Sequence, residues 1–170
     1  MAERHEVSRR RFLTYLTAAI GAFIGTVLGL PAVAYVVSPA LKGRETHWVP
    51  IGSPDTFRVG QPKLVEFTLT RRDGWVEQEA KKSVWVVRKD SQEFAVYNTH
   101  CTHLGCIVNW HPDTRTFVSP CHNGIFTIDG VVVGGPPPRP LDTLETKMDG
   151  GQLLVDYMDF RLGVPQKEEA

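Results

Sequence analysis

Residues 101–124, CTHLGCIVNWHPDTRTFVSPCHNG, determine the fold and chemistry expected of this 170-residue chain. The stretch begins with CTHLGC at 101–106 and ends with SPCHNG at 119–124, so each end offers cysteine together with histidine. The chain has three cysteines, all within this stretch, and we expect them to serve one site. Because sulfur and imidazole nitrogen are both donors for transition metals, the two loops predict a metal site.

Simpler interpretations of the two loops explain less. A structural zinc site would need four nitrogen or sulfur ligands, typically with C-x₂-C and H-x₃₋₅-H spacing, and the loops do not have that spacing. A disulfide alone, or buried histidines alone, would leave unexplained why cysteine and histidine occur together in both loops. A metal site of another kind is therefore the favoured interpretation.

The sequence around these loops has the pattern of short β-strands separated by turns. Asp129-Gly130 and Asp149-Gly150 mark tight hairpin turns, and no long amphipathic helix is predicted after residue 40. We therefore predict an all-β domain that carries the cysteines in loops between strands. The predicted strands are 64–70, 84–88, 94–98, 116–119, 125–128, 131–133, 145–148 and 152–157.

A separate N-terminal segment is predicted to cross a membrane. Residues 12–37 contain no charged side chain, and about 20 apolar residues suffice to span a hydrocarbon core roughly 30 Å thick. The run is longer than the ~7–15 residues of a secretory signal's apolar region. Cleavage near Ser38-Pro39-Ala40 is the alternative, but the length of the run favours a retained anchor.

Residues 8–13, SRRRFL, resemble a twin-arginine export signal of the form S-R-R-x-F-L, with Arg9 and Arg10 as its arginine pair. Such a signal exports proteins that have already folded. The basic N-terminus is expected to stay in the cytoplasm, which puts the C-terminal domain on the extracytoplasmic side. The net charge is zero, from 19 basic and 19 acidic residues, and gives no indication of nucleic-acid binding.

The two loops resemble those of the Rieske iron–sulfur proteins of cytochrome bc complexes, whose motifs are C-T-H-L-G-C and C-P-C-H-G-S. Residues 101–106 match the first motif at every position, and Pro120, Cys121 and His122 match the second. The resemblance covers roughly residues 45–157, and the export signal and single anchor are also typical of bacterial members. The family's cluster-covering proline loop corresponds to Gly135, Pro136, Pro137 and Pro138.

This resemblance implies an antiparallel β domain with a cluster-binding loop subdomain, and a [2Fe–2S] cluster bound there. Cys101 and His103 would be ligands from the first loop and His122 from the second. In a Rieske centre two histidines bind one iron and two cysteines the other, giving potentials of about −150 to +300 mV. The resemblance also implies a disulfide between Cys106 and Cys121, in keeping with an exported domain.

The family's second cysteine ligand corresponds to Ser119, which explains the odd cysteine count. Serine could bind iron as an alkoxide or leave the position to water, and cluster affinity and potential would then fall because oxygen is a harder donor than thiolate. Alternatively, Cys121 could leave Cys106 and bind iron, or the cluster could be lost and the domain persist as a structural subunit. An engineered or erroneous residue at 119 is a fourth alternative.

Residues near the second loop bear on the electron donor. High-potential members of the family carry a serine and a tyrosine that hydrogen-bond to sulfur, and these positions correspond to Gly124 and Phe126, which have no hydroxyl. The resemblance therefore implies menaquinol rather than ubiquinol as donor. His122 would accept the quinol's hydrogen bond and proton, and Leu104 would pack against the quinol pocket of the partner subunit.

The expected function is electron transfer from menaquinol to a c-type cytochrome, beside a cytochrome b subunit, in the cell membrane. The alternatives are a cluster-deficient structural subunit of such a complex and the small Rieske subunit of a molybdenum oxidase such as arsenite oxidase. The chain is too short to add the catalytic iron domain of a Rieske oxygenase. The expected divisions are a cytoplasmic segment (1–11), an anchor (12–37), a linker with the lead-in to the first strand (38–63), the Rieske domain (64–160) and a tail (161–170).

Overall fold

A computed structural model of the protein describes residues 8–41, 46, 48–73 and 76–170. The chain forms two compact units, Met1–Glu45 and Thr46–Ala170. The first seven residues of the predicted cytoplasmic segment, and residues 42–45 and 47 of the predicted linker, lie outside the described residues. The second unit contains both loops that carry cysteine and histidine.

The described part of the N-terminal unit is essentially one helix, α1 (Arg9–Leu41). Its 33 residues extend about 50 Å at 1.5 Å per residue. Within Arg9–Ser38, the most apolar stretch has a mean hydropathy of 2.0. No residue of that stretch is buried. The helix includes the whole predicted anchor, and it is long and apolar enough to cross a bilayer.

Six strands of the second unit form one antiparallel sheet, in the order β1-β10-β9-β4-β3-β2. They are β1 (Trp48–Gly52), β2 (Lys63–Asp73), β3 (Val76–Arg88), β4 (Phe94–Asn98), β9 (Thr143–Asp149) and β10 (Gln152–Asp156). In the β9–β10 hairpin Asp149 pairs with Gln152, which leaves Gly150 and Gly151 as a two-residue turn. Both glycines have positive φ (54° and 76°), as this kind of turn requires.

Four shorter strands form a second antiparallel sheet, in chain order. They are β5 (Asn109–His111), β6 (Thr116–Ser119), β7 (Gly124–Thr127) and β8 (Val132–Gly134). Asn109 pairs with Val118, so the start of β5 and the end of β6 lie side by side. The loop that precedes β5 and the loop that follows β6 therefore leave the sheet at the same end, and these are the two Cys/His loops.

Two apolar clusters form the core of the second unit. One consists of large-sheet residues such as Val86 and Leu153 together with Phe57. The other joins the two sheets beneath the loops and consists of Val87, Tyr97, Cys101, Val108, Phe117, Phe126 and Leu141. Phe117 is fully buried there, with its ring 4.9 Å from that of Trp110, 5.4 Å from that of Trp85 and 6.1 Å from that of Tyr97. The loops are thus fixed to a packed aromatic centre.

The structure confirms the antiparallel β fold but corrects several predicted boundaries. The predicted linker 38–63 includes strand β1, so the second unit begins well before residue 64. The sequence pattern does not predict strand β5. It predicts that the third strand begins at residue 84, whereas β3 begins at Val76 because its exposed polar half pairs with β2. The predicted tail is also part of the second unit, since the Arg161 N–H donates to the Glu168 carbonyl over 2.9 Å.

We expect Phe117→Ala to lower the free energy of unfolding of the second unit by about 3–5 kcal/mol, because it leaves a cavity among three aromatic rings. Urea denaturation followed by circular dichroism would measure this loss. Val133→Ala is the control, since Val133 is 59% exposed and its truncation should cost little. Equal losses in the two variants would contradict the packing described for Phe117.

Candidate metal centre

The first Cys/His loop, residues 99–108, connects β4 to β5 and is closed by its own backbone. The Cys101 N–H donates to the Cys106 carbonyl over 2.8 Å, and the Gly105 N–H donates to the Cys101 carbonyl over 2.9 Å. At the base of the loop the Val108 N–H donates to the Thr99 carbonyl. Gly105 has φ +80°, a conformation that glycine adopts at little cost. The loop is therefore a compact turn with its side chains directed by a fixed backbone.

The second loop, residues 120–123, connects β6 to β7. Ser119 and Gly124 pair across its base, and Asn123 adopts a left-handed conformation with φ +51°. A disulfide between Cys106 and Cys121 joins this loop to the first, with 6.4 Å between the two Cα atoms. The predicted disulfide is thus present, and it leaves Cys101 as the free cysteine of the chain.

Two histidines face each other across the joined loops. The rings of His103 and His122 are 4.8 Å apart and nearly perpendicular. His122 is exposed, whereas His103 is half-buried. Among the described residues, His103 Nδ1 is the buried side-chain polar atom that lacks a hydrogen-bond partner. Such an atom costs roughly 1–3 kcal/mol, a cost that a bound metal ion would offset.

Cys101 and Ser119 are two further candidate donors, and both are buried. Cys101 is 3% exposed and Ser119 is 1% exposed. Gly124 lies between them: it pairs with Ser119, and a Cβ atom at Gly124 would be 3.3 Å from Cys101 Sγ. The centre thus offers two imidazoles on its open side and a thiol with a hydroxyl on its buried side.

This division into two pairs fits two metal atoms better than one. No group of three His, Cys, Asp or Glu side chains within the described ranges converges as a single-ion site. A [2Fe–2S] cluster of the Rieske type uses two histidines on one iron and two other ligands on the second. The donors present fit such a cluster at the imidazole pair and the thiol, with an oxygen at the remaining position.

The proline-rich loop between β8 and β9 covers the buried pair. Pro137 is buried, and its Cγ would be 2.7 Å from a Cβ atom at Gly124. Gly135 has φ +83°, and a side chain there would collide with the backbone carbonyl of Asn123. Pro136 and Pro138 remain exposed. Glycine is therefore required at 124 and 135 for the loop to approach the centre this closely.

His100 adjoins the first loop, and its contacts indicate a structural role rather than metal binding. Its Nδ1 lies 2.7 Å from the side-chain oxygen of Asn98. Burial lowers the pKa of His100, and the nearby Asp159 carboxylate opposes that effect only in part. His100 is therefore a neutral, hydrogen-bonded part of the loop's base.

The sequence pattern misses one group of residues around the centre. Arg139 and Asp142 are both buried and form an ion pair with 2.8 Å between Nη2 and Oδ2. The Thr102 hydroxyl donates to the Arg139 carbonyl over 2.7 Å. The sequence signal available for this group is that Arg139 directly follows a run of prolines. Its partners could not be predicted, because they lie in segments that only the fold brings together.

One protein family and several known proteins are similar to this chain. A family model described as the Rieske [2Fe-2S] domain matches residues 47–145. The menaquinol:cytochrome c reductase iron-sulfur subunit of Bacillus subtilis is 35% identical over 160 residues, which cover 91% of this chain and 95% of that protein. The protein of the same name from Geobacillus thermodenitrificans is 32% identical over 157 residues, covering 89% and 92%. A solved plasma membrane Rieske protein from Synechocystis PCC 6803 is 29% identical with a TM-score of 0.43, covering 64% and 99%.

We expect Gly135→Ala to destabilise the second unit more than Gly60→Ala does. Both glycines have positive φ, but a Cβ atom at Gly60 meets nothing within 4 Å, whereas one at Gly135 collides with backbone. An alanine with positive φ costs about 1–2 kcal/mol at either position. Only Gly135→Ala adds the energy of the backbone collision to that cost. Urea denaturation of both variants measures the difference, and equal costs would contradict the close approach of the proline-rich loop.

Proposed function

Because this chain belongs to the Rieske [2Fe–2S] protein family, we propose that it carries electrons from menaquinol to a c-type cytochrome, as the iron–sulfur subunit of a quinol–cytochrome c reductase. The observation that carries the proposal is the pair of disulfide-linked loops whose two histidine rings lie 4.8 Å apart beside a buried free thiol. The relatives from Bacillus subtilis and Geobacillus thermodenitrificans are menaquinol:cytochrome c reductase subunits. They match 91% and 89% of the chain and support the same assignment.

The proposed ligands are His103 and His122 on one iron and Cys101 with Ser119 on the other. The unpartnered Nδ1 of His103 and the free thiol of Cys101 support their assignment. When bound, a Rieske cluster accepts and donates single electrons. The protein's part is to orient these donors and to exclude water from the buried pair, since Cys101 and Ser119 are nearly inaccessible.

Ser119 is proposed to supply an oxygen donor. The disulfide engages Cys121, which argues against Cys121 as a replacement thiolate. The 1% exposure of Ser119 argues against water in its place. Oxygen is a harder donor than sulfur and favours ferric iron, so the potential of this centre should lie near the lower end of the family's range of about −150 to +300 mV.

His122 is proposed as the residue that receives the quinol's proton. Its side chain is exposed, in contrast to the half-buried His103, so a quinol could form a hydrogen bond with it. An imidazole within hydrogen-bond reach of a quinol hydroxyl can serve as its proton acceptor. Leu104 is 61% exposed next to His103, and we assign it to contact with the quinol pocket of a cytochrome b partner.

Menaquinol is favoured over ubiquinol by the surroundings of the buried pair. A serine at position 124 could not be placed without moving Pro137, because a Cβ atom there would lie 2.7 Å from Pro137 Cγ. Phe126 is fully buried in the same cluster as Cys101 and has no hydroxyl to donate to sulfur. Without such hydrogen bonds the potential is lower, which matches a low-potential quinol.

The N-terminal helix is proposed to anchor the protein in the cell membrane with the second unit on the extracytoplasmic side. Arg9 and Arg10 begin helix α1 and would form the export signal's arginine pair at the cytoplasmic end. The helix is long enough to remain as an anchor after export.

A second candidate is a cluster-deficient structural subunit of the same complex, and Ser119 is the observation that favours it. Measurement of iron content separates the two functions. The molybdenum-oxidase alternative gains no support from the relatives named above.

We expect the full-length protein, purified without oxygen, to contain about two iron atoms per chain and to give a Rieske-type electron paramagnetic resonance signal after reduction. Ser119→Ala should lose most of this iron because a methyl group cannot bind it, while Ser119→Cys should keep it and raise the potential. Ser91→Ala, at an exposed loop, is the control. An iron-free native protein would favour the structural subunit instead.

We also expect Phe126→Tyr to raise the midpoint potential by tens of millivolts, because its hydroxyl would lie among the atoms around Cys101. Phe94→Tyr is the matched control, since Phe94 belongs to the other apolar cluster. Equilibrium redox titration of the iron-loaded proteins measures the shift. An equal shift in both variants, or none in Phe126→Tyr, would count against the assignment of Cys101.

A further inference from the structure

The C-terminal segment, residues 158–170, lies against the first Cys/His loop. The Gly163 N–H donates to the Thr102 carbonyl over 2.9 Å. A Cβ atom at Gly105 would lie 2.7 Å from Leu162 Cδ1, which places Leu162 directly beneath that turn. This segment follows the part of the chain that matches the family model, residues 47–145. The loop is thus supported from one side by residues near the end of the chain.

Arg139, at the end of the proline-rich loop, connects three segments. It is 6% exposed and forms two hydrogen bonds with the Asp142 carboxylate, over 2.9 and 2.8 Å. Its guanidinium also donates to the backbone carbonyls of Arg161, over 2.7 Å, and Val164. Its own carbonyl accepts the hydrogen bond from the Thr102 hydroxyl. One buried residue therefore links the first loop, the proline-rich loop and the C-terminal segment.

We propose that Arg139 is a positioning residue, which fixes Thr102 and thereby the proposed ligands Cys101 and His103 on either side of it. Charge-assisted bonds of this kind are stronger than neutral ones, and a fork-shaped guanidinium satisfies four acceptors at once. Lysine cannot match this geometry. The consequence of this positioning for electron transfer rests on the proposed function. The position of the first Cys/His loop itself is independent of that function.

The reactivity of Cys101 measures the position of the loop without any bound iron. Cys101 is the free thiol and is 3% exposed, so a maleimide can reach it only when the loop opens. In the iron-free full-length protein with its disulfide intact, we expect Arg139→Met to increase the labelling rate about tenfold or more. Arg139→Lys should have an intermediate effect, as a partial rescue.

Arg161→Met is the matched control. Its side chain forms an exposed ion pair with Glu168, while its backbone carbonyl, which Arg139 uses, is retained. Labelling of Cys101 in this variant should stay within about twofold of the native rate, since an exposed ion pair contributes little.

Thr102→Val tests the proposal independently if Arg139→Met does not fold. Valine keeps the shape of threonine but removes the hydrogen bond to the Arg139 carbonyl, so labelling should accelerate and hydrogen exchange should rise in residues 102–106. The strands should exchange as before. In iron-loaded Arg139→Lys, the paramagnetic resonance line shape should change at equal iron content.

Native labelling rates in both Thr102→Val and Arg139→Lys would overturn the proposal. So would a uniform rise in hydrogen exchange across the second unit in these variants, since that would indicate general stability alone. Neither result depends on whether iron binds, so failure of this proposal is distinct from failure of the proposed function.

Discussion

The antiparallel pairing of β5 with β6 brings two loops to one end of the small sheet, and the site depends on this arrangement. Asn109 pairs with Val118, so Cys106 and Cys121 lie close enough for a disulfide. The bond closes a span of 15 residues, which in the chain-entropy model contributes about 3 kcal/mol. With both loops fixed in this way, the candidate donors of the two loops are brought to one end of the small sheet.

The chemistry proposed for the centre depends on how far each candidate donor is exposed to solvent. His122 is exposed and His103 is half-buried, so the proposed contact with a quinol is assigned to His122. Cys101 and Ser119 are both nearly inaccessible to solvent, and Gly124 lies against both Pro137 and the thiol of Cys101. In the proposed centre, the lack of hydroxyl groups at Gly124 and Phe126 and an oxygen donor at Ser119 would all lower the potential. The proposed use of menaquinol is consistent with this.

Local sequence was sufficient to predict the features that depend on close spacing. The long apolar run predicts helix α1, whereas the disulfide between Cys106 and Cys121 was implied by the resemblance of the two motifs to the Rieske family. Strand β1 could not be predicted in the same way, because Pro50 and Gly52 resemble a turn and its pairing partner β10 lies about a hundred residues later. The contacts of Arg139 with Arg161 and Val164 were likewise invisible in the sequence, since they join segments more than 20 residues apart. Burial of an arginine requires partners that only tertiary structure supplies.

In the proposed centre, two imidazoles, one thiolate and one serine oxygen hold a [2Fe–2S] cluster. Mössbauer spectroscopy of the oxidised full-length protein, grown on isotopically enriched iron, can test this ligand set because it distinguishes iron sites by their ligands. We expect two iron sites of equal area, and only the site without histidine ligands should change its spectrum in Ser119→Cys. Iron absent from the native protein, or spectra that are identical in the native and Ser119→Cys proteins, would refute the proposed ligand set.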